Sequence, residues 1–462
     1  MRDTIDFGID LGTANSAIAV AGNGGVRVLK NGDGRDRTPC AVWMPREGMT
    51  RVGRPARERV DFDPEDAYGG FRDRMGVAGA EYRFRRAGVR LTPEQLSAEV
   101  LKSLCRDAVH ELGESPAAAV ITVPAAFAPN QAAATGRAAV LAGLGEDCPL
   151  LHEPVAAALA YGVNGASPSA RWMVFGLGSG DFTAAVVEER SAELRLLRQA
   201  GDPHLGGKDI DRAIVGELLA PAVQRDLGLR DFVRGNPRWR MNFAKLGAAA
   251  EAAKIELSRA ESTVLFVDLE DDSGDRPGFE YTLTRGALED LALPYYTRAI
   301  ELCRKALADS SLRPDHIDRL LLVGGATLAP GLRELLADPW QGLGILLDHS
   351  QDPTTVLARG AAIHAATVRA PVPRPSPRAG DEIGGLLREL RAALDSCESL
   401  LDRTVREEAG RFLPLVGRLR MTADRFEDVH GHGGGGARSL ARVRQLLERV
   451  RQFEGALIRH AR

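Results

Sequence analysis

Two glycine-rich stretches hold the residues best suited to chemistry, and both have the form of a phosphate cradle. The first is Gly8-Ile9-Asp10-Leu11-Gly12-Thr13-Ala14-Asn15-Ser16, leading into Ala17-Ile18-Ala19-Val20. The second, Val174-Phe175-Gly176-Leu177-Gly178-Ser179-Gly180-Asp181-Phe182, leads into Ala184-Ala185-Val186-Val187. In each, an apolar strand enters a glycine turn and leaves as another apolar strand. Without Cβ atoms in the way, backbone N–H groups in such a turn converge on an anion. The two copies differ chemically: Asp10 gives the first a carboxylate, and Gly176 stands at the matching place in the second. One acid instead of two predicts that phosphate binding and phosphate hydrolysis have come apart.

Turns of this kind need a large α/β core to hold them. The chain has 462 residues, 44% hydrophobic and 27% charged, enough for about two to four domains. Lys+Arg 60 against Asp+Glu 63 leaves a net charge of −3, which argues against nucleic acid or an anionic membrane as partner. Residues 1–6 do not read as a secretory leader, and no apolar run reaches the roughly 20 residues of a spanning helix. The five cysteines, Cys40, Cys105, Cys148, Cys303 and Cys397, are scattered without metal-ligand spacing. They fit thiols in a reducing compartment, and a cytoplasmic location is expected.

The order of elements places the turns. A strand meander over residues 1–30 is followed by a strand at Ala118–Val123 ending on Pro124, then an Ala-rich helix from about Asn130 to Leu144. A helix starts at Pro154, and a long helical pattern covers Met241–Ser258. Strands at Thr263–Leu269 and Phe279–Leu283 precede a helix over 285–308 and the strand Leu320–Val323, which ends on Gly324-Gly325. Glycine turns at strand ends that feed helices mark ligand positions in α/β sheets. The whole reads as a duplicated α/β architecture over residues 1–370, with a cleft between two lobes. Residues 371–380, rich in proline, read as a stiff linker. Over 381–462, Ile383, Leu387, Leu390, Leu394, Cys397 and Leu401 form one apolar stripe, and Leu440, Val443, Leu447, Val450 and Leu457 form another. This predicts an all-helical tail: a hairpin or small bundle, or a coiled coil for self-association. Its seven arginines over 437–462 read as a solvated face, and His430 and His432 as loop residues.

Further motifs follow the first loop in fixed order. They are Ala119-Val120-Ile121-Thr122-Val123-Pro124-Ala125-Ala126-Phe127, Glu153-Pro154-Val155-Ala156-Ala157-Ala158-Leu159-Ala160-Tyr161-Gly162, and Gly201-Asp202-Pro203-His204-Leu205-Gly206-Gly207-Lys208-Asp209-Ile210-Asp211. Then come Glu251-Ala252-Ala253-Lys254-Ile255-Glu256-Leu257-Ser258 and Leu322-Val323-Gly324-Gly325-Ala326-Thr327. Together the series closely resembles the nucleotide-binding domain of the DnaK-type, 70-kilodalton heat-shock (Hsp70) chaperones, over about four-fifths of the chain. The resemblance implies an actin-like ATPase fold with ATP or ADP and Mg²⁺ between two lobes. Gly12, Thr13, Ala14 and Asn15 would wrap the terminal phosphates, with Gly178, Ser179 and Gly180 opposite. Asp10 would hold Mg²⁺ through its waters. Glu153 would stand near the attacking water. Gly206, Gly207, Gly324, Gly325 and Ala326 would line ribose and phosphates, and Glu251, Lys254 and Ser258 the adenosine. Read without the resemblance, Glu251 and Lys254 are an exposed helical ion pair.

Departures from the family pattern carry the functional reading. Arg72 falls where the family has its cleft lysine, keeping the charge on a planar fork. The second loop lacks two acids, at Gly176 and Thr183, and gains Asp181 at a threonine position. Leu328 and Thr354 replace an arginine and an aspartate near the adenine, and Lys208, a position where the family prefers Glu, reads as a surface exchange. Pro149, His152 and Val155 alter the surface that contacts J-domains, and no β-sandwich pattern follows residue 370. Phosphoryl transfer depends on positioning and electrostatics, so hydrolysis is expected to be weak or absent while nucleotide binding persists. A nucleotide-independent scaffold and a slow but working ATPase chaperone stay open as alternatives. The tail is expected to meet a protein client, a partner or a second copy.

Overall fold

The computed structural model describes residues 4–369 apart from 23, 147, 163–169, 191–192 and 271–276, together with Leu390, Leu394, Leu447 and Val450. The chain falls into two compact units, Met1–Pro371 and Val372–Arg462. In the second, the four described residues are helical and buried, and all belong to the apolar stripes read from the sequence. The proline-rich stretch, His430, His432 and the rest of the tail lie outside the described residues.

The first unit is built twice on one plan. Strands β1 (Phe7–Asp10), β2 (Asn15–Gly22) and β3 (Gly25–Val28) form an antiparallel meander, and β4 (Val120–Val123) and β5 (Leu150–His152) extend it in parallel beyond β1. Strands β6 (Arg171–Leu177), β7 (Phe182–Arg190) and β8 (Glu193–Asp202) repeat the meander. Beyond β6, β9 (Arg319–Val323) and β10 (Leu347–Asp348) repeat the parallel extension. The register makes the equivalence residue by residue. Asp10 pairs with Ala17 across the first hairpin as Gly176 pairs with Thr183 across the second. Each hairpin thus turns over the same number of residues, and both turns fall at the ends of their sheets. This is the actin-like fold expected from the motif series.

The two sheets meet through alanine-rich helices. α1 (Glu153–Ala160) carries Ala156, Ala157 and Ala158 fully buried, and Val356–Ala365 crosses both α1 and β1. Contact there is backbone to backbone. A methyl carbon on Gly8 would fall 2.0 Å from the amide nitrogen of Ala362, and one on Gly360 would fall 1.7 Å from the Ala156 carbonyl oxygen. No side chain fits at either point, which is why glycine stands at both. Elsewhere, standard signals bound the helices. Pro93–Leu112 begins with a capping box, Thr92 Oγ1 accepting from Gln95 N and Gln95 Oε1 from Thr92 N, and ends on left-handed Gly113.

Candidate functional site

The first hairpin turn is held from beneath. Cys40 follows the short strand Thr38–Pro39 paired to β2, and its amide donates to the Ala14 carbonyl at 2.8 Å. Its thiol donates to the Gly12 carbonyl at 3.0 Å and lies 2.9 Å from the Ser16 hydroxyl. Burial pushes this thiol up to about 12, so it is a structural group and stays protonated.

The second turn is fixed by the helix Gly207–Ala213, here α2. Gly207 N donates to the Gly178 carbonyl at 3.0 Å, and Lys208 N to the Ser179 carbonyl at 2.7 Å. Gly206 packs so close that a methyl on it would sit 2.5 Å from Gly180 N. Gly324, at φ 93°, closes the far side, where a methyl would fall 2.2 Å from the Leu177 carbonyl oxygen. A methyl on Gly207 would lie 3.9 Å from the Ala326 Cβ. The fold therefore gathers Gly178, Ser179, Gly180, Gly206, Gly207, Gly324 and Ala326 at one wall. Gly325 lies nearer the other lobe: a methyl on it would be 3.8 Å from Arg37 Nη1. Arg37 escaped the sequence reading, although it stands three residues before Cys40.

Arg72 ties the cleft together. It sits on the short turn Phe71–Arg74 and is 8% exposed. Its Nε donates to the Thr13 hydroxyl at 3.0 Å, and Nη1 donates to the Leu11 carbonyl and to Glu153 Oε1, both at 2.9 Å. Nη2 lies 3.9 Å from Asp181 Oδ2 in the opposite hairpin. The guanidinium also stands over the Phe127 ring at 6.0 Å. A lysine ammonium could not serve these directions at once; the planar fork does. Burial works against the charge, but Glu153, Asp181 and Asp10 outweigh it and hold Arg72 protonated at any working pH. Asp181 therefore stands at ion-pair distance from Arg72, a partner that its position in the sequence does not disclose.

The other acids are tuned by the same environment. Asp10 accepts from the Thr122 hydroxyl at 3.1 Å. Burial pushes its carboxyl up to about 7, with Glu153 adding to the rise and Arg72 opposing it. Burial also raises Glu153, the first residue of α1, while its bond to Arg72 pulls it back. The net direction for Glu153 is upward, but the Arg72 bond occupies Oε1 and competes with water for that oxygen. The Thr13 hydroxyl accepts from Arg72 and gives its one proton to Asp73 Oδ1 at 3.0 Å, which leaves the backbone amides of this turn to meet an anion.

These acids fit a hard, oxygen-seeking cation. Asp10 would hold Mg²⁺, and a bound Mg²⁺ would offset phosphate charge. No cluster of three or more candidate ligands occurs among the described residues.

At the residues expected to border adenosine, the structure corrects two expectations. Glu251 and Lys254 lie on the helix Arg240–Glu256, here α3, but do not pair with each other. Glu251 bonds Arg57 of the first lobe at 2.7 Å, and Lys254 bonds Asp211 at 2.6 Å and the Gly207 carbonyl at 2.7 Å. Two better-placed tertiary partners win over the local one. Ser258 is not on the helix. The helix ends at Glu256, and the Ser258 hydroxyl donates to the Ile255 carbonyl at 2.6 Å in the turn that follows. Leu328 is 37% exposed, and Thr354 donates to Asp352 Oδ1 at 2.8 Å. Lys208 is also no simple surface exchange: its Nζ would lie 3.9 Å from a methyl on Gly70, so it reaches toward the turn that carries Arg72.

Folded Asp10 keeps its proton up to about pH 7, whereas an unfolded aspartate releases it near 3.8. The folded state binds the extra proton between those values, so raising the pH through this window costs stability, fully above about 7. Asp10→Asn keeps the Thr122 bond and never meets that cost. The variant is expected to be more stable than wild type at pH 8, by on the order of 1–2 kcal/mol, and to lose its advantage toward pH 4. Urea midpoints at pH 4.5 and 8 check this; an equal gap at both would contradict it.

Comparison with known proteins agrees with the geometry. The family described as Hsp70 protein matches residues 6–373. The chain is similar to the chaperone protein DnaK of Picrophilus torridus, 35% identical over 367 residues, covering 78% of this chain and 58% of the relative. For DnaK of Thermoplasma acidophilum the identity is 36% over 368 residues, covering 79% and 58%. For DnaK of Thermus thermophilus it is 37% over 383 residues, covering 78% and 60%. The chain thus spans about three-fifths of the length of these relatives. No helix among the described residues is long and apolar enough to cross a membrane. With the duplicated sheets, the paired glycine hairpins and this match over four-fifths of its length, the chain belongs to the Hsp70 family.

Proposed function

We propose that residues 1–370 form a nucleotide-binding unit that takes ATP or ADP with Mg²⁺ between the two hairpins and hydrolyses ATP weakly or not at all. The observation that carries this reading is Arg72, bonded at once to Thr13, Leu11 and Glu153 and facing Asp181 across the cleft. A buried cation between two glycine turns suits a polyphosphate. Its bond occupies Glu153 Oε1, which competes with an attacking water for that oxygen, and Gly176 and Thr183 supply no carboxylate to order that water. In this assignment Gly12 to Asn15 and Gly178 to Gly180 grip the phosphates. Gly206, Gly207, Gly324, Gly325 and Ala326 line the sugar and phosphates, and Glu251, Lys254 and Ser258 border the adenosine. Nucleotide touching both lobes favours their closure, because a ligand shifts an equilibrium toward the state it binds better.

The setting is cytoplasmic and chaperone-like, with 371–380 as linker and the helical tail, 381–462, offering a surface to a client, a partner or a second copy. A thermal titration tests the binding claim: ATP with Mg²⁺ at a hundred times its Kd should add about 2.7 kcal/mol. No stabilisation at millimolar ATP or ADP would refute it. Truncation after residue 375 is expected to leave this stabilisation in place and to lower the assembly size in a sizing experiment. An unchanged size would remove self-association from the proposal.

A further inference from the structure

We propose that Asp181 is a built-in anion that makes the cleft prefer a nucleoside diphosphate to a triphosphate. The inference rests on reading the cleft as a nucleotide site. By strand register Asp181 is the counterpart of Asn15, so the two hairpins present a neutral amide on one side and a carboxylate on the other. Arg72 has Nε and Nη1 committed to Thr13, Leu11 and Glu153, and Asp181 faces the remaining nitrogen, Nη2, at 3.9 Å. The Asp181 side chain is 37% exposed, so it stands in the opening between the turns and is not packed away.

Nor can the turn easily withdraw it. Gly178 N donates to the Asp181 carbonyl at 3.0 Å, the Gly178 and Ser179 carbonyls accept from α2, and Gly206 is wedged under Gly180. A phosphate chain entering from the side of Lys254 and Gly207 would extend along the hairpins toward Arg72, the buried cation at the far end. Its last group would have to displace Asp181 from Nη2 and then lie among Asp181, Glu153 and Asp10. A chain one phosphate shorter leaves the Arg72–Asp181 pair in place. Close like charges in a partly dry cleft are costly enough to decide between the two.

Calorimetric titration of the full chain with MgADP, MgATP and the β,γ-imido analogue of ATP tests this. Wild type is expected to bind MgADP about tenfold more tightly than either triphosphate. Asp181→Asn, which keeps the volume, and Asp181→Thr are expected to tighten triphosphate binding about tenfold while moving MgADP by less than about twofold. A purely structural role for Asp181 would shift all three ligands together, and that result would overturn the proposal. So would weaker MgATP binding in the variants, which would make Asp181 a cation ligand. If no nucleotide binds wild type or variants, the nucleotide reading of the cleft itself fails, and this inference with it. If wild type binds nucleotide but with the same ratio as the variants, only the inference fails.

Discussion

Arg72→Met is expected to destabilise the folded protein by about 3–5 kcal/mol, the usual cost of removing one partner from a buried ion pair. Glu153 would be left charged and unpaired at the head of α1, and the Thr13 hydroxyl and Leu11 carbonyl would lose their donor. The damage should be local to the first hairpin and its surroundings, because every hydrogen bond that Arg72 donates goes to the first half of the fold. Arg72→Lys separates charge from shape. It restores a cation beside Glu153 but cannot serve the three acceptors together, so it should recover roughly half of the loss. Equilibrium unfolding in urea checks both variants. A fall of less than about 1 kcal/mol in Arg72→Met would mean that the bonds contribute little to stability.

The second large effect is a gain. Gly176→Asp combined with Asp181→Thr should raise ATP turnover by about a hundredfold, the scale set by single electrostatic groups in transition states. Gly176 lies opposite Thr183 in the β6–β7 pair, at the strand position that Asp10 occupies in the first hairpin. A side chain fits there with modest adjustment, since its Cβ would lie 3.3 Å from the Thr183 carbonyl oxygen. The restored carboxylate would face the cleft from the second lobe, and removal of Asp181 would clear the path to Arg72. Steady-state phosphate release for the double variant, each single variant and wild type measures the effect. Unchanged turnover in the double variant would show that the lost acids do not limit hydrolysis.

Much of this site was legible in the sequence because it is local. A glycine turn between two apolar strands declares its own geometry, and the missing acid at Gly176 is visible by comparison with Asp10. The pairing of charges was not legible. Glu251 and Lys254 stand three apart on a helix, a spacing that favours a local ion pair worth a few tenths of a kcal/mol. The fold instead offers Arg57 and Asp211 at bonding distance, and tertiary geometry outweighs so small a local preference. The approach of Asp181 to Arg72 was not legible, because the two are far apart in the chain and meet only through the folding of both lobes. Ser258 followed the helical period yet lies past the helix end, since periodicity does not mark where the last turn closes. Arg37 gave no local signal and Lys208 read only as a surface exchange; the relevance of both comes from the glycines they approach, Gly325 and Gly70.

A single-turnover experiment tests the central claim most directly, with protein in excess over ATP labelled in its terminal phosphate, in the presence of Mg²⁺. The label is expected to be captured stoichiometrically by the protein and recovered almost entirely as intact ATP after many minutes. Rapid and complete release of labelled phosphate, at a rate unchanged by Asp10→Asn and by the Gly176→Asp, Asp181→Thr double variant, would contradict it, as would ATP that never associates with the protein.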